Sequence, residues 1–238
     1  MRIISSSFIA AVICSFVAAP SADAFMESSL KASLTRYDVR ATAKAKRSVT
    51  KKKFLSLELP AIAKGGLVFG DPDATTTIVM FTDIECPFCK RFHQKTYPSI
   101  KKDYIDTKKV RFVIRHFPLV FHPYADRAAR AVVCAREQGD DKARALYDAL
   151  IAVDSFSTGT IASTYKEVDG FDVAVLETCL DTGSKRMPID NDAKAGVDAG
   201  VRGTPSFFII GPNGASKTVT GAFPYETFKE AIEAVQKK

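Results

Sequence analysis

The chain has no tryptophan, three histidines and five cysteines in 238 residues. It has no internal repeat, which argues against a solenoid or propeller. It has no second Cys-X-X-Cys knuckle beside the pair at Cys86 and Cys89. A structural zinc site usually has two knuckles of similar spacing, and here His93 with His116 or His122 would have to complete the ligand set. No metal or other cofactor is expected. Net charge is also missing from most of the chain: from Phe54 onward, Lys plus Arg and Asp plus Glu number 24 each. The formal +7 arises before that point, where nine Lys or Arg face two acidic residues between Met26 and Lys53. A nucleic-acid surface would lie on the folded part, with aromatic or polar readers beside it. The basic segment has one aromatic, Tyr37, and no nucleic-acid partner is expected.

Residues 1–24 read as a signal peptide. Arg2 precedes an apolar run from Ile3 to Val17, and Ala22-Asp23-Ala24 offers small residues around a cleavage site. The run is interrupted by Ser5, Ser6 and Ser7 and is short for a membrane span of ~20 residues. Cys14 would leave with it. Residues 25–60 are a basic linker or a second targeting segment. The segment Lys31 to Lys53 is that of a solvated linker or of a weak contact with an anionic membrane. Alternatively, Phe25 followed by a basic, Ser/Thr/Ala-rich stretch resembles the two-part plastid presequences of algae with secondary plastids. The expected address is therefore extracytoplasmic, periplasmic in a bacterium, with a plastid or its lumen as the alternative.

Cys86, Cys89, Cys134 and Cys179 then remain. An even number in an exported chain suggests two pairs. Four are too few to act as the scaffold of so long a chain, which can bury a core of its own. Leu67 to Phe69 reads as an edge strand and Thr77 to Thr82 as a buried central one. A helix is expected from the cysteine pair to about Tyr104, kinked at Pro98, with Phe92, Tyr97 and Ile100 inward. Val110 to Phe117 alternates as a second long strand. Strand, helix and strand at this spacing form a βαβ unit with parallel strands. The pattern from Pro118 to Gly200 is helical. Ser206 to Ile210 and Lys217 to Thr220 then flank a Gly-Pro-Asn-Gly turn as a hairpin. A closing helix starts at Pro224, placed in its first turn. The plan is βαβ, a helical insertion, then ββα.

The chemistry lies where the central strand ends. Cys86 would sit at a helix N-terminus, where free N–H groups and the macrodipole favour a thiolate, so Cys86 is the expected nucleophile. Cys89, one turn on and deeper, is placed to resolve a mixed disulfide on Cys86. Pro87 suits the first turn, since the N–H it lacks would have been unpaired there. A purely structural disulfide across four residues would remove little chain entropy.

From about Gly70 to its end the chain resembles the DsbA-like thiol–disulfide oxidoreductases. The resemblance is carried by Phe81-Thr82-Asp83-Ile84-Glu85-Cys86-Pro87-Phe88-Cys89, by Arg115-His116-Phe117-Pro118-Leu119, and by Gly200-Val201-Arg202-Gly203-Thr204-Pro205-Ser206-Phe207-Phe208. It implies an α/β thioredoxin fold, with residues 61–117 and 201–238 as the core and 118–200 as an inserted helical cap. It further implies that Pro205 is a cis proline facing the cysteines and that Thr204 offers backbone hydrogen bonds to a substrate strand. Relatives often have cysteines where Cys134 and Cys179 stand, which suggests a second, structural disulfide; free buried thiols are the alternative.

The strongly oxidising members carry His where this chain has Phe88. A neutral ring stabilises a thiolate less, so a milder oxidant is expected. Asp83 and Glu85 would act the same way if near the sulfurs. Asp83, at a strand end, is a candidate for proton transfer, and Glu85 reads equally well as a solvated loop acid. Phe117, Phe121 and Tyr124 are groove or packing residues. The expected partners are cysteine-containing proteins and a membrane or soluble redox partner, with the chain a monomer. A reductase or isomerase, or a peptide-binding chaperone with incidental thiols, are the competing functions; Cys86→Ser would spare only the last.

Overall fold

The computed structural model describes Leu59, residues 61–183 and residues 185–237. The leader read at 1–24, Cys14, and the basic segment of 25–60 apart from Leu59 lie outside the described residues. Five strands form one sheet: β1 (Leu67–Phe69), β2 (Thr76–Thr82), β3 (Val110–His116), β4 (Ser206–Ile210) and β5 (Ser216–Thr220), in the order β1-β3-β2-β4-β5. The strand β2 is the middle of the sheet and every one of its residues is buried. It runs parallel to β3, with Thr82 opposite His116, and antiparallel to β4. Its β-branched and apolar run is what a strand covered on both faces requires.

Alternation along the strands divides the core in two. Ile78 and Met80 of β2, Phe112 and Ile114 of β3, and Phe207 and Ile209 of β4 face the larger cluster. Val79, Phe81, Val113 and Phe208 face the smaller one, which Leu59, Ile62, Ala199 and Val201 cover. On the larger face lie α1 (Pro87–Lys95) and the closing helix α8 (Tyr225–Gln236), whose Phe92 and Phe228 rings meet 5.2 Å apart. After α1 come a short α2 (Tyr97–Ile100) and a π turn over Lys101–Ile105. The helix therefore breaks at Thr96, ahead of Pro98, and Pro98 sits in the first turn of the next segment. No intrahelical partner is lost for an N–H there, so the proline costs little. Phe92, Tyr97 and Ile100 are buried as expected. Pro224 caps α8 from outside its first turn.

Between β3 and β4 stand α3 (Ala125–Arg136), α4 (Asp140–Ala152), α5 (Thr158–Glu167), α6 (Val173–Thr182) and α7 (Arg186–Asp198). Ser157 and Asp172 cap α5 and α6 through their side chains, each accepting a backbone N–H in the first turn. The last helix of the insert packs closely on the smaller face of the sheet. A Cβ at Gly196 would stand 2.8 Å from Phe117 and 2.9 Å from Phe81, so the approach needs glycine. A buried ion pair fixes the same contact: Arg115 Nε lies 2.6 Å from Asp192 Oδ1, and Asp192 Oδ2 accepts the His116 N–H at 2.9 Å. Arg115 also donates to the carbonyls of Ile62 and Lys64. One guanidinium thus ties β3, α7 and the segment before β1, and removing it would leave a buried carboxylate uncompensated.

Candidate active site

The chain leaves β2 at Thr82, turns through Asp83-Ile84-Glu85, and enters α1 with Cys86 as its N-cap and Pro87 in its first turn. Cys86 Sγ lies 3.5 Å from the carbonyl oxygen of Thr204, at the other side of the site. The Thr204–Pro205 bond is cis, and Pro205 is buried at the start of β4. Both cysteines are free thiols, with Cys86 3% and Cys89 0% exposed.

Their electrostatic settings are opposite. The Cys86 thiol is lowered from 9.0 to about 5, chiefly by the hydrogen bond from the Cys89 thiol. Burial pushes the other way, and the Thr204 side chain and the backbone N–H groups of Cys89 and Phe88 add to the lowering. Burial raises Cys89 well above its ordinary value, and the Cys86 sulfur beside it adds to the rise. One thiolate is therefore available at neutral pH, at the helix N-terminus, with a protonated partner one turn behind it.

Asp83 is buried, and both its oxygens are occupied. Oδ1 accepts the Glu85 N–H at 2.8 Å; Oδ2 accepts the Leu119 N–H at 2.8 Å and lies 2.7 Å from His122 Nδ1. Glu85 accepts the Tyr124 N–H at 2.7 Å. The two acids thus anchor the segment 119–124 beside the cysteines. Glu85 is tied to the insert rather than free in solvent. The side chain of Phe88 is half-exposed, with the Arg91 guanidinium 5.1 Å over its ring. Pro87 is exposed. Among the three aromatics that follow β3, Phe117 packs edge-on against Phe81 and Tyr124 packs on the core. Phe121 is 71% exposed next to the fully exposed Val120.

Across the insert, Cys134 of α3 is bonded to Cys179 of α6, with Cα atoms 5.9 Å apart. Sequence reasoning missed the contacts of three groups near the cysteines, two of which, His93 and His122, it had named only as possible metal ligands. His122, read there only as a spare metal ligand, holds Asp83. His93 is half-buried, stacked on Tyr97 at 4.9 Å and 3.6 Å from Asp148 of α4; burial lowers it to about 4. Tyr147 of α4 is fully buried against the site, and its contacts cross more than fifty residues of sequence, where no local spacing could announce it.

A low-pKa thiol at a strand-to-helix junction, a second, buried thiol behind it, and a cis proline opposite define a thioredoxin fold with a helical insertion. The chain belongs to the thioredoxin family: the family model described as Thioredoxin matches residues 63–234. It is 25% identical over 177 residues to disulfide bond formation protein D of Bacillus subtilis, covering 71% of this chain and 77% of that protein. It is 29% identical to the solved structure of DsbA2 from Pseudomonas aeruginosa, covering 72% of this chain and 94% of that one with a TM-score of 0.60. It is also 31% identical over 158 residues to Na(+)/H(+) antiporter NhaA 3 of Salinispora tropica, a match over 66% of this chain but only 23% of that protein. The chain thus spans under a quarter of the antiporter relatives it matches. No helix among the described residues is long and apolar enough to cross a membrane. The DsbA-like resemblance read from the motifs holds in both sequence and fold.

Proposed function

We propose that this protein is an exported thiol–disulfide oxidoreductase that passes its Cys86–Cys89 disulfide to cysteine-containing proteins as they fold, and is reoxidised by a membrane or soluble redox partner. The observation that carries this reading is the split between the two sulfurs: Cys86 lowered to about 5 and Cys89 raised. A low first pKa stabilises the reduced form of the enzyme, and that makes its disulfide oxidising. A value of about 5 falls between the ~7 of thioredoxin and the ~3.5 of the strongest oxidants. The lowering comes from Cys89, Thr204 and backbone N–H groups rather than from the side chain at position 88, which supports the expectation of a milder oxidant. Cys86 is the nucleophile in this reading, Cys89 the resolver, and the Thr204-Pro205 edge the substrate contact. Residues 118–200 act as a cap on the core formed by 61–117 and 201–238, clamped by Cys134–Cys179. Bacillus subtilis disulfide bond formation protein D, by its name, works in the same chemistry.

The test is a redox titration against glutathione together with capture of clients by Cys89→Ala. The expected potential lies between ~−270 mV and ~−120 mV, and the variant should accumulate mixed disulfides through Cys86. A potential at the thioredoxin value would make the protein a reductase, and absence of any mixed disulfide would remove the exchange function.

A further inference from the structure

When the Cys86–Cys89 disulfide is opened, the Cys89 sulfur departs as a thiolate into a place that water does not reach, since Cys89 has 0% exposure. What surrounds that sulfur decides how readily it leaves. Thr82 ends β2 on the face shared with Ile78 and Met80, and its hydroxyl lies beside the Cys89 sulfur. The phenol of Tyr147 also lies beside that hydroxyl. Tyr147 comes from α4 of the insert, its ring held edge-on by Phe69 at 6.0 Å and His93 at 5.9 Å. Thr82 and Tyr147 are each 1% exposed. In the dithiol form neither hydroxyl closes a hydrogen bond of normal geometry with any group. Buried donors without an acceptor are costly and uncommon. An acceptor of full strength appears beside them only when Cys89 carries charge.

We propose that the Thr82 and Tyr147 hydroxyls are a donor pair held for the Cys89 thiolate, so that the helical insert takes part in opening the disulfide. This rests on the exchange function proposed above. A substrate thiolate attacks Cys86 Sγ; a new S–S bond forms there, the Cys86–Cys89 bond breaks, and its electron pair stays on Cys89. The Thr82 O–H then donates to that sulfur, and the Tyr147 O–H donates to the Thr82 oxygen and polarises it. A backbone group of Asp83 assists. No proton changes owner and no further oxidant enters. Thr82 touches the reacting sulfur and is catalytic, whereas Tyr147 acts through it as a positioning residue. The ionisable groups around the pair are Cys86, His116 opposite Thr82 in the β2–β3 register, and His93 and Asp148 beside Tyr147. Burial lowers both histidines to about 4, which keeps them neutral at pH 7, so no cation competes for the thiolate.

Tyr147→Phe retains the ring and removes the hydroxyl. With glutathione as the thiol attacking the oxidised protein, the opening rate should fall by up to about tenfold, the scale of a lost hydrogen bond between neutral hydroxyls. Alkylation of Cys86 in the dithiol form by iodoacetamide should keep its rate and pH midpoint. Thr82→Val should open still more slowly, Tyr147→Phe should add nothing in that background, and Thr82→Ser should restore the rate. An unchanged opening rate in Tyr147→Phe overturns the proposal, as do additive losses in the double variant. Equal slowing of alkylation overturns it as well, because repacking alone would do that. A wild-type protein that glutathione cannot open at all would instead sink the exchange function underneath.

Discussion

The two cysteine pairs sit in two regions of one molecule and have opposite settings. In the core, Cys86 caps the start of α1, four residues of chain enclose the pair, and both sulfurs are free. In the insert, Cys134 and Cys179 lie near the C-terminal ends of α3 and α6, 45 residues apart, and are bonded. The helix dipole and free N–H groups favour a thiolate at the first position and disfavour it at the second. Chain entropy separates the pairs again: closing a four-residue loop constrains the unfolded chain little, while closing one of 45 residues is worth about 4 kcal/mol in the loop-entropy treatment. Position along a helix and loop length, not the cysteine itself, divide reactive sulfur from structural sulfur.

The largest effects should come from exchanging these roles by mutation. Cys86→Ser should abolish disulfide exchange with a model peptide while leaving thermal unfolding at pH 4, below the Cys86 midpoint, close to that of the wild-type dithiol form. Cys134→Ser should do the reverse, keeping exchange and lowering the denaturant midpoint by the equivalent of about 3–4 kcal/mol. If Cys134→Ser instead halted exchange in a protein that still folds, the division between the two regions would be the wrong one.

Next in size is the link between the regions. Asp83 belongs to the core, and its carboxylate holds Leu119 and His122 at the entry to the insert. Asp83→Ala would leave those groups and the Glu85 N–H without their acceptor, a loss of about 2–3 kcal/mol for hydrogen bonds to a buried charge. The same variant should leave the 119–124 segment more open to limited proteolysis, with the Cys134–Cys179 bond intact. A variant as stable as wild type would show that the anchoring is incidental.

How much of this was visible in the sequence depended on distance along the chain. The strands were legible because β2 is an unbroken β-branched and apolar run and β3 alternates. The cysteine pair was legible because Cys86, Pro87 and Cys89 stand together at one helix start. The interruption near Pro98 was legible, but its place at Thr96, with the proline in the first turn of the next segment, was not. Asp83 was noticed for its charge, yet its partners lie 36 and 39 residues away. Tyr147 and His93 showed nothing in local pattern, because a helical insert meets the core through contacts that only the folded topology creates. The site's reacting atoms are local; the groups that hold and tune them are not.

The smallest expected effect concerns Phe88, and it sharpens the comparison from the side of the core. The Cys86 pKa of about 5 implies that alkylation of the dithiol should rise through a midpoint near pH 5 and level off well below pH 7. Linkage gives the matching stability effect. The folded pKa is depressed from 9.0, so the stabilisation is complete above pH 9, shrinks as pH falls, and is gone below about pH 5. Denaturant curves of the dithiol form at pH 4 and pH 8 should differ in that sense. Phe88→His adds a ring that is charged only below about pH 6.5. The side chain at 88 is 51% exposed and faces Arg91, so water screens the new charge and the guanidinium opposes its protonation. The Cys86 midpoint should therefore fall by at most about one unit, which corresponds to ~30 mV in potential. The backbone N–H of residue 88, which already acts on the sulfur, is unchanged by the substitution. A shift of several units would mean that the side chain, and not the backbone and Thr204, governs the thiolate.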